Sequence, residues 1–105
     1  MLITTTQTAP GSEITEVLGI AIGNTIRARN VGTDILAGLR NLVGGEVTQY
    51  TALMSDARDQ AIRRMIEDAE ALNADAVVGV RLTTSSIAQG AAEIVAYGTA
   101  VKLTE

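Results

Sequence analysis

Two rhythms of apolar and polar positions run through this chain. MLITTT at Met1–Thr6 is short and β-branched, which predicts a strand, and Pro10-Gly11 turns the chain after it. From Glu16 to Ile26, EVLGIAIGNTI alternates with period two and predicts a second strand. Leu18, Ile20, Ile22 and Ile26 share its large face; Val17, Gly19, Ala21, Gly23 and Thr25 share the small one. After a connection at Arg27–Gly32, Thr33 or Asp34 caps a helix running to about Val43. A second helix spans Tyr50–Leu72, with Tyr50, Met54, Ala57, Ala61, Met65, Ala69 and Leu72 along one stripe. Its outer face carries Asp59 with Arg63 and Arg64 with Asp68, opposite charges one turn apart. Asn73 ends it in a left-handed conformation. Ala74–Thr84 and Glu93–Leu103 are strands joined by a turn at Ser85–Ala92, which predicts an antiparallel hairpin.

The resulting order, β-β-α-α-β-β, predicts one α+β domain over residues 1–105. Two helices cover one face of an antiparallel sheet. The strands, however, are apolar on both faces: Val77 stands beside Val78, Ile94 beside Val95, and Ala100 beside Val101. A sheet open to water has one polar face, so the second face or the edges are expected to be used in a homo-oligomer. Composition points the same way. Phe and Trp are absent, and Tyr50 and Tyr97 are the only aromatic residues, so the core is thin.

Charge and missing residue types narrow the chemistry. The net charge is −4 and the basic residues are scattered, which argues against a nucleic-acid partner. Without Cys or His the chain has no thiolate, no imidazole base and no Cys/His zinc or copper site. The N-terminus has no signal-peptide pattern, and no run approaches the ~20 apolar residues of a membrane span. The chain is expected to be cytoplasmic, with no membrane partner, no cofactor and no enzymatic activity.

Few residues invite a sharper reading. In LVGGEVTQY, Gly44 and Gly45 follow a predicted helix rather than opening one, so they read as a cap and corner before a phosphate loop. Asp34 reads as a helix cap and Asp75 as the closure of the helix-to-strand turn. Glu93 either opens the last strand or faces a ligand in a ring lumen, where its oxygens suit a hard cation. Tyr97, beside Gly98, is a packing residue or an interface and pocket residue. Gly19 and Gly23 mark a bend or bulge, or the close approach of another backbone or subunit.

The run Asn73-Ala74-Asp75-Ala76-Val77-Val78-Gly79-Val80-Arg81, followed by Ala96-Tyr97-Gly98-Thr99-Ala100-Val101, resembles the YbjQ-like family. The opening ITTT, the Asp34-to-Arg40 helix, the Val43-Gly44-Gly45 corner with Tyr50, and Arg58 with Ala61 extend the resemblance over the whole chain. The resemblance implies an α+β subunit in a ring-shaped homopentamer, with no settled activity and a heavy-metal-binding label. That label leans on soft ligands, of which this chain has Met1, Met54 and Met65. The leading expectation is a small homo-oligomeric binding or scaffold protein. The alternative is a metal or small-ligand protein using carboxylate and backbone oxygens at subunit interfaces or in a ring lumen.

Overall fold

Alternating β-branched residues form strands far longer than the turns around them suggest. The computed structural model describes residues 1–28, 48–88 and 91–104. Within these lie β1 (Leu2–Ile3), β2 (Ile14–Ala28), α1 (Thr48–Ala71), β3 (Ala76–Ala88) and β4 (Ala91–Leu103). The helix expected to run to Val43, with Asp34, Gly44 and Gly45, lies outside the described residues. The strands form one sheet in the order β1-β3-β4-β2. One described helix packs on it, so the architecture is α+β.

Three expectations need correction. The sheet is mixed: β3, β4 and β2 are antiparallel, but β1 joins β3 in parallel, pairing Leu2 with Ala76 and Ile3 with Val77. The first strand is also only two residues long. Beyond it, Thr4 donates its N–H to the Val77 carbonyl and accepts the Val80 N–H. Finally, Ser85–Ala88 and Ala91–Ala92, expected in a turn, are strand. Ser85 pairs with Glu93 and Ser86 with Ala92, so the hairpin ladder runs almost to its tip. Continuous pairing satisfies backbone groups that a serine-rich turn would leave to water.

Helix α1 buries Ala57, Ala61, Met65 and Ala69 completely. They stand four apart, on one stripe. The helix closes with a Schellman motif. Ala74 donates to the Ala69 carbonyl and Asn73 to that of Glu70, with Asn73 at φ 60°. Asp75 then ties the turn to β4, its Oδ2 accepting the Leu103 N–H at 2.9 Å.

Against the helix stripe lies the small face of β2, with Ala21, Gly23 and Thr25 all buried. An added Cβ at Gly23 would stand 2.2 Å from the Met65 nitrogen and 2.3 Å from the Ala61 oxygen. Helix backbone therefore rests directly on this strand. Gly19 has a different role. It has φ 138° at a register shift against β4, and this bulge changes which side chains face the helix. Before it, Leu18 packs on the core while Val17 is exposed. After it, the even-numbered Ile20, Ile22 and Ile26 turn outward. The four large residues thus do not share one face as the plain alternation predicted. Gly79, at φ 63°, sits in a similar shift on β3.

A second, smaller cluster of Ala76, Val78 and Val101, with Ile14 and Leu103 against it, lies on the opposite face at one end of the sheet. Among the described residues the far face is thus covered only at that end.

Thr25 is 98% buried, and its hydroxyl has no hydrogen-bond partner. An unpaired buried hydroxyl costs roughly 1–3 kcal/mol, and valine has nearly its shape. Thr25→Val is therefore expected to raise stability by about 1 kcal/mol in chemical denaturation. A loss of stability would show that the hydroxyl is satisfied.

Candidate functional site

The outer face of β2 carries a row of exposed isoleucines. Ile20 is 71% exposed, and Ile22 and Ile26 are 53% exposed. Register places Thr99, Tyr97, Val95 and Glu93 of β4 beside Ile20, Ile22, Asn24 and Ile26. Arg81, Thr83 and Ser85 of β3 complete the rows. The result is an apolar band with a few polar groups set into it. Such a face is unusual for water-exposed sheet.

Both singled-out β4 residues lie here. Glu93 Oε2 accepts from Asn24 Nδ2 at 3.2 Å. Tyr97 is partly exposed between Ile22 and Arg81. They are on the same face with Val95 between them, about 13 Å apart along the strand, so they do not converge on one reacting atom. Gly98 points the other way. It is buried, and a Cβ added there would meet Val77, Val78 and Val80. Gly23 lies beneath α1 and Gly19 in the bulge, so the interface candidates separate into one face residue, Tyr97, and three backbone positions.

A shallow depression of about 470 Å³ lies near the end of α1, lined by Met1, Glu70, Asn73, Ala74, Asp75 and Lys102. Lys102 and Asp75 form its ion pair at 3.8 Å, with both side chains substantially exposed.

The helix charges behave differently from their sequence pattern. Neither Asp59 with Arg63 nor Arg64 with Asp68 forms an ion pair among the described residues. Instead Asp68 Oδ2 accepts the Ile22 N–H at 2.9 Å, and Arg64 Nη1 donates to the Asn24 carbonyl at 2.7 Å. Arg27 donates to Gln60 Oε1 at 3.2 Å. These contacts tie α1 to the edge of β2, and spacing alone gave no signal of them.

Soft-metal chemistry can be tested on the donors. Met65 is fully buried in the core. Met54 is partly buried against the same core. Met1 lies beside Glu70, about 24 Å from Met54 along the helix axis. Among the described residues no group of three or more His, Cys, Asp or Glu gathers around a metal-sized space. The residues present do not fit a soft heavy-metal site within one chain. Nor is any helix among them long and apolar enough to cross a membrane.

Comparison with known proteins places this geometry in a family of uncharacterised proteins. A UPF0145 protein of Halorubrum lacusprofundi is 63% identical over 98% of this chain and 99% of its own. One from Archaeoglobus fulgidus is 58% identical over 98% and 95%. A third, from Vibrio parahaemolyticus, is 54% identical over the full length of both. The crystal structure of a protein of unknown function from Pediococcus pentosaceus superposes with a TM-score of 0.62, covering 99% of this chain and 98% of the other at 20% identity. It supports the fold alone. The family model described as "Putative heavy-metal-binding" matches residues 1–104, and the chain belongs to that YbjQ family.

Proposed function

We propose that this chain is a self-assembling binding or scaffold module whose copies associate through the outer face of the sheet. The observation that carries the reading is the row of exposed Ile20, Ile22 and Ile26 beside Tyr97. Shape adds support. The radius of gyration is 17.2 Å, against about 13 Å for a compact chain of this length. The accessible surface is 6819 Å², against roughly 5,600 Å² from size scaling. The excess is of the order that one partner buries in a stable interface, about 800 Å². The ring-shaped homopentamer implied by the family resemblance, in a cytoplasmic setting and without catalysis, is the specific form of this reading. A second reading makes Glu93 a hard-oxygen ligand on the same face, favoured by its place among the isoleucines.

Native mass spectrometry at micromolar concentration tests the first reading. The expected mass is a multiple of the 10.9 kDa subunit. Ile22→Lys places an unpaired charge in the buried centre of the interface, at a cost of about 3–5 kcal/mol. Association is expected to weaken more than a hundredfold. A parent protein that runs only as monomer sinks the proposal.

A further inference from the structure

The outer row of β2 is apolar at Ile20, Ile22 and Ile26 and polar at one position between them, Asn24. Two contacts hold Asn24 in place. Its carbonyl accepts from Arg64 Nη1 of α1 at 2.7 Å, which pins the main chain at the strand edge. Its side chain crosses to β4, where Nδ2 donates to Glu93 Oε2 at 3.2 Å. Asn24 pairs with Val95 and Ile26 with Glu93, so the bond runs diagonally between neighbouring rows. From the Ile20–Thr99 row to the Ile26–Glu93 row, Glu93 is the one charged residue of β2 and β4 on this face. Both side chains lie away from α1, so their bond adds nothing to the buried cluster beneath the helix.

Repetition makes an apolar row ambiguous. Outward residues of a strand recur every ~6.6 Å. A copy docked on Ile20 and Ile22 could slide by one repeat and meet isoleucine again. Asn24 breaks that repeat. A slid copy lays apolar side chains on the Asn24 amide and the Glu93 carboxylate, which then lose water without gaining partners. In the matching register the same groups meet polar side chains, which the outer face supplies at Tyr97, Arg81 and Thr83. A single polar residue in an apolar seam can fix register and stoichiometry in this way, at some cost in affinity.

We propose that the Asn24–Glu93 pair is the specificity element of the isoleucine face, admitting one docking register of a second copy and rejecting slid ones. This role rests on the self-assembly reading above and adds its selectivity. The isoleucines hold the copies together, and the polar pair decides where. Affinity and specificity then respond to different substitutions on the same face.

Native mass spectrometry of the full chain across a dilution series tests this, with folding checked by circular dichroism. The parent is expected to give one oligomeric mass, unchanged by EDTA. Asn24→Val leaves the Glu93 carboxylate without its amide in an apolar band, and is expected to weaken association at least tenfold. Asn24→Val with Glu93→Leu removes both partners. That double variant is expected to associate at least as tightly as the parent but to give more than one mass. Glu93→Gln keeps a polar pair and is expected to keep the single mass. A double variant that associates more weakly than the parent, or that keeps one mass, overturns the proposal. So does a parent assembly that falls apart in EDTA, which would assign Glu93 to a cation. If the double variant precipitates, Asn24→Val against Glu93→Gln decides, and equal loss of association in the two overturns the proposal. A monomeric parent removes the self-assembly reading itself, whereas an oligomeric parent with a single-mass double variant removes only the specificity element.

Discussion

Gly23→Ala is expected to lower stability by about 3 kcal/mol or more, a larger loss than a single added methyl group causes at most sites. The new Cβ meets the Met65 nitrogen at 2.2 Å, the Ala61 oxygen at 2.3 Å and the Arg64 carbonyl carbon at 2.7 Å. All three are backbone atoms of α1, so no rotamer change relieves the contact. The helix has to lift from β2. Lifting it loosens Ala57, Ala61 and Ala69, whose short side chains reach the sheet only at close range. It also stretches the Asp68 and Arg64 contacts to the strand edge. Thermal unfolding followed by circular dichroism, at one protein concentration because association shifts the midpoint, is expected to fall by more than about 12 °C. A drop of only a few degrees would mean that helix and strand do not touch at this position.

The same contact explains which parts of the fold were legible in the sequence. Alternation in β2 was plain, as was the four-residue stripe of α1. Which face of β2 turns inward was not. Size suggests that isoleucines are buried, yet here glycine and alanine are, because the opposing helix stripe is itself alanine. Small packed on small brings two backbones together, and neither segment shows that alone. The bulge at Gly19 is likewise a pairing event with β4, invisible in a single strand's pattern. Two residues of β1 carry no sign of their direction. Arg64 and Asp68 have the spacing of a helix ion pair, and only the tertiary position of β2 reveals their backbone partners.

The candidate site was legible in outline for a simpler reason. Strands apolar on both faces require cover on both, and that requirement can be counted from Ile94-Val95 or Ala100-Val101. Among the described residues it is met at one end by Ala76, Val78 and Val101. The isoleucine row beyond is the part left over. Glu93 and Tyr97 fall on that part because both are odd-numbered positions of β4, whose even-numbered Ile94, Ala96, Gly98 and Ala100 are buried.

Met65→Ala is expected to cost about 3–5 kcal/mol, at the upper end for a buried methionine. Among the described residues Met65 is the largest fully buried side chain. A cavity costs less when neighbours can relax into it, and the spread among large-to-small substitutions reflects that freedom. The buried cluster it belongs to is otherwise mostly alanine (Ala21, Ala57, Ala61, Ala69, Ala96 and Ala100), and its other buried members, Val77, Val80 and Ile94, are β-branched and stiff at χ1, so few side chains can swing into the gap. In a chain without Phe or Trp, one flexible thioether fills the gap that an aromatic ring fills elsewhere. Met65→Leu keeps most of the volume and is expected to cost less than about 1.5 kcal/mol. Urea unfolding of the two variants separates this packing role from a ligand role. Packing predicts the ordering alanine well below leucine, with leucine close to the parent. A sulfur donor predicts that leucine and alanine lose metal-dependent stabilisation equally. Equal stability of the two variants would contradict the burial of this side chain.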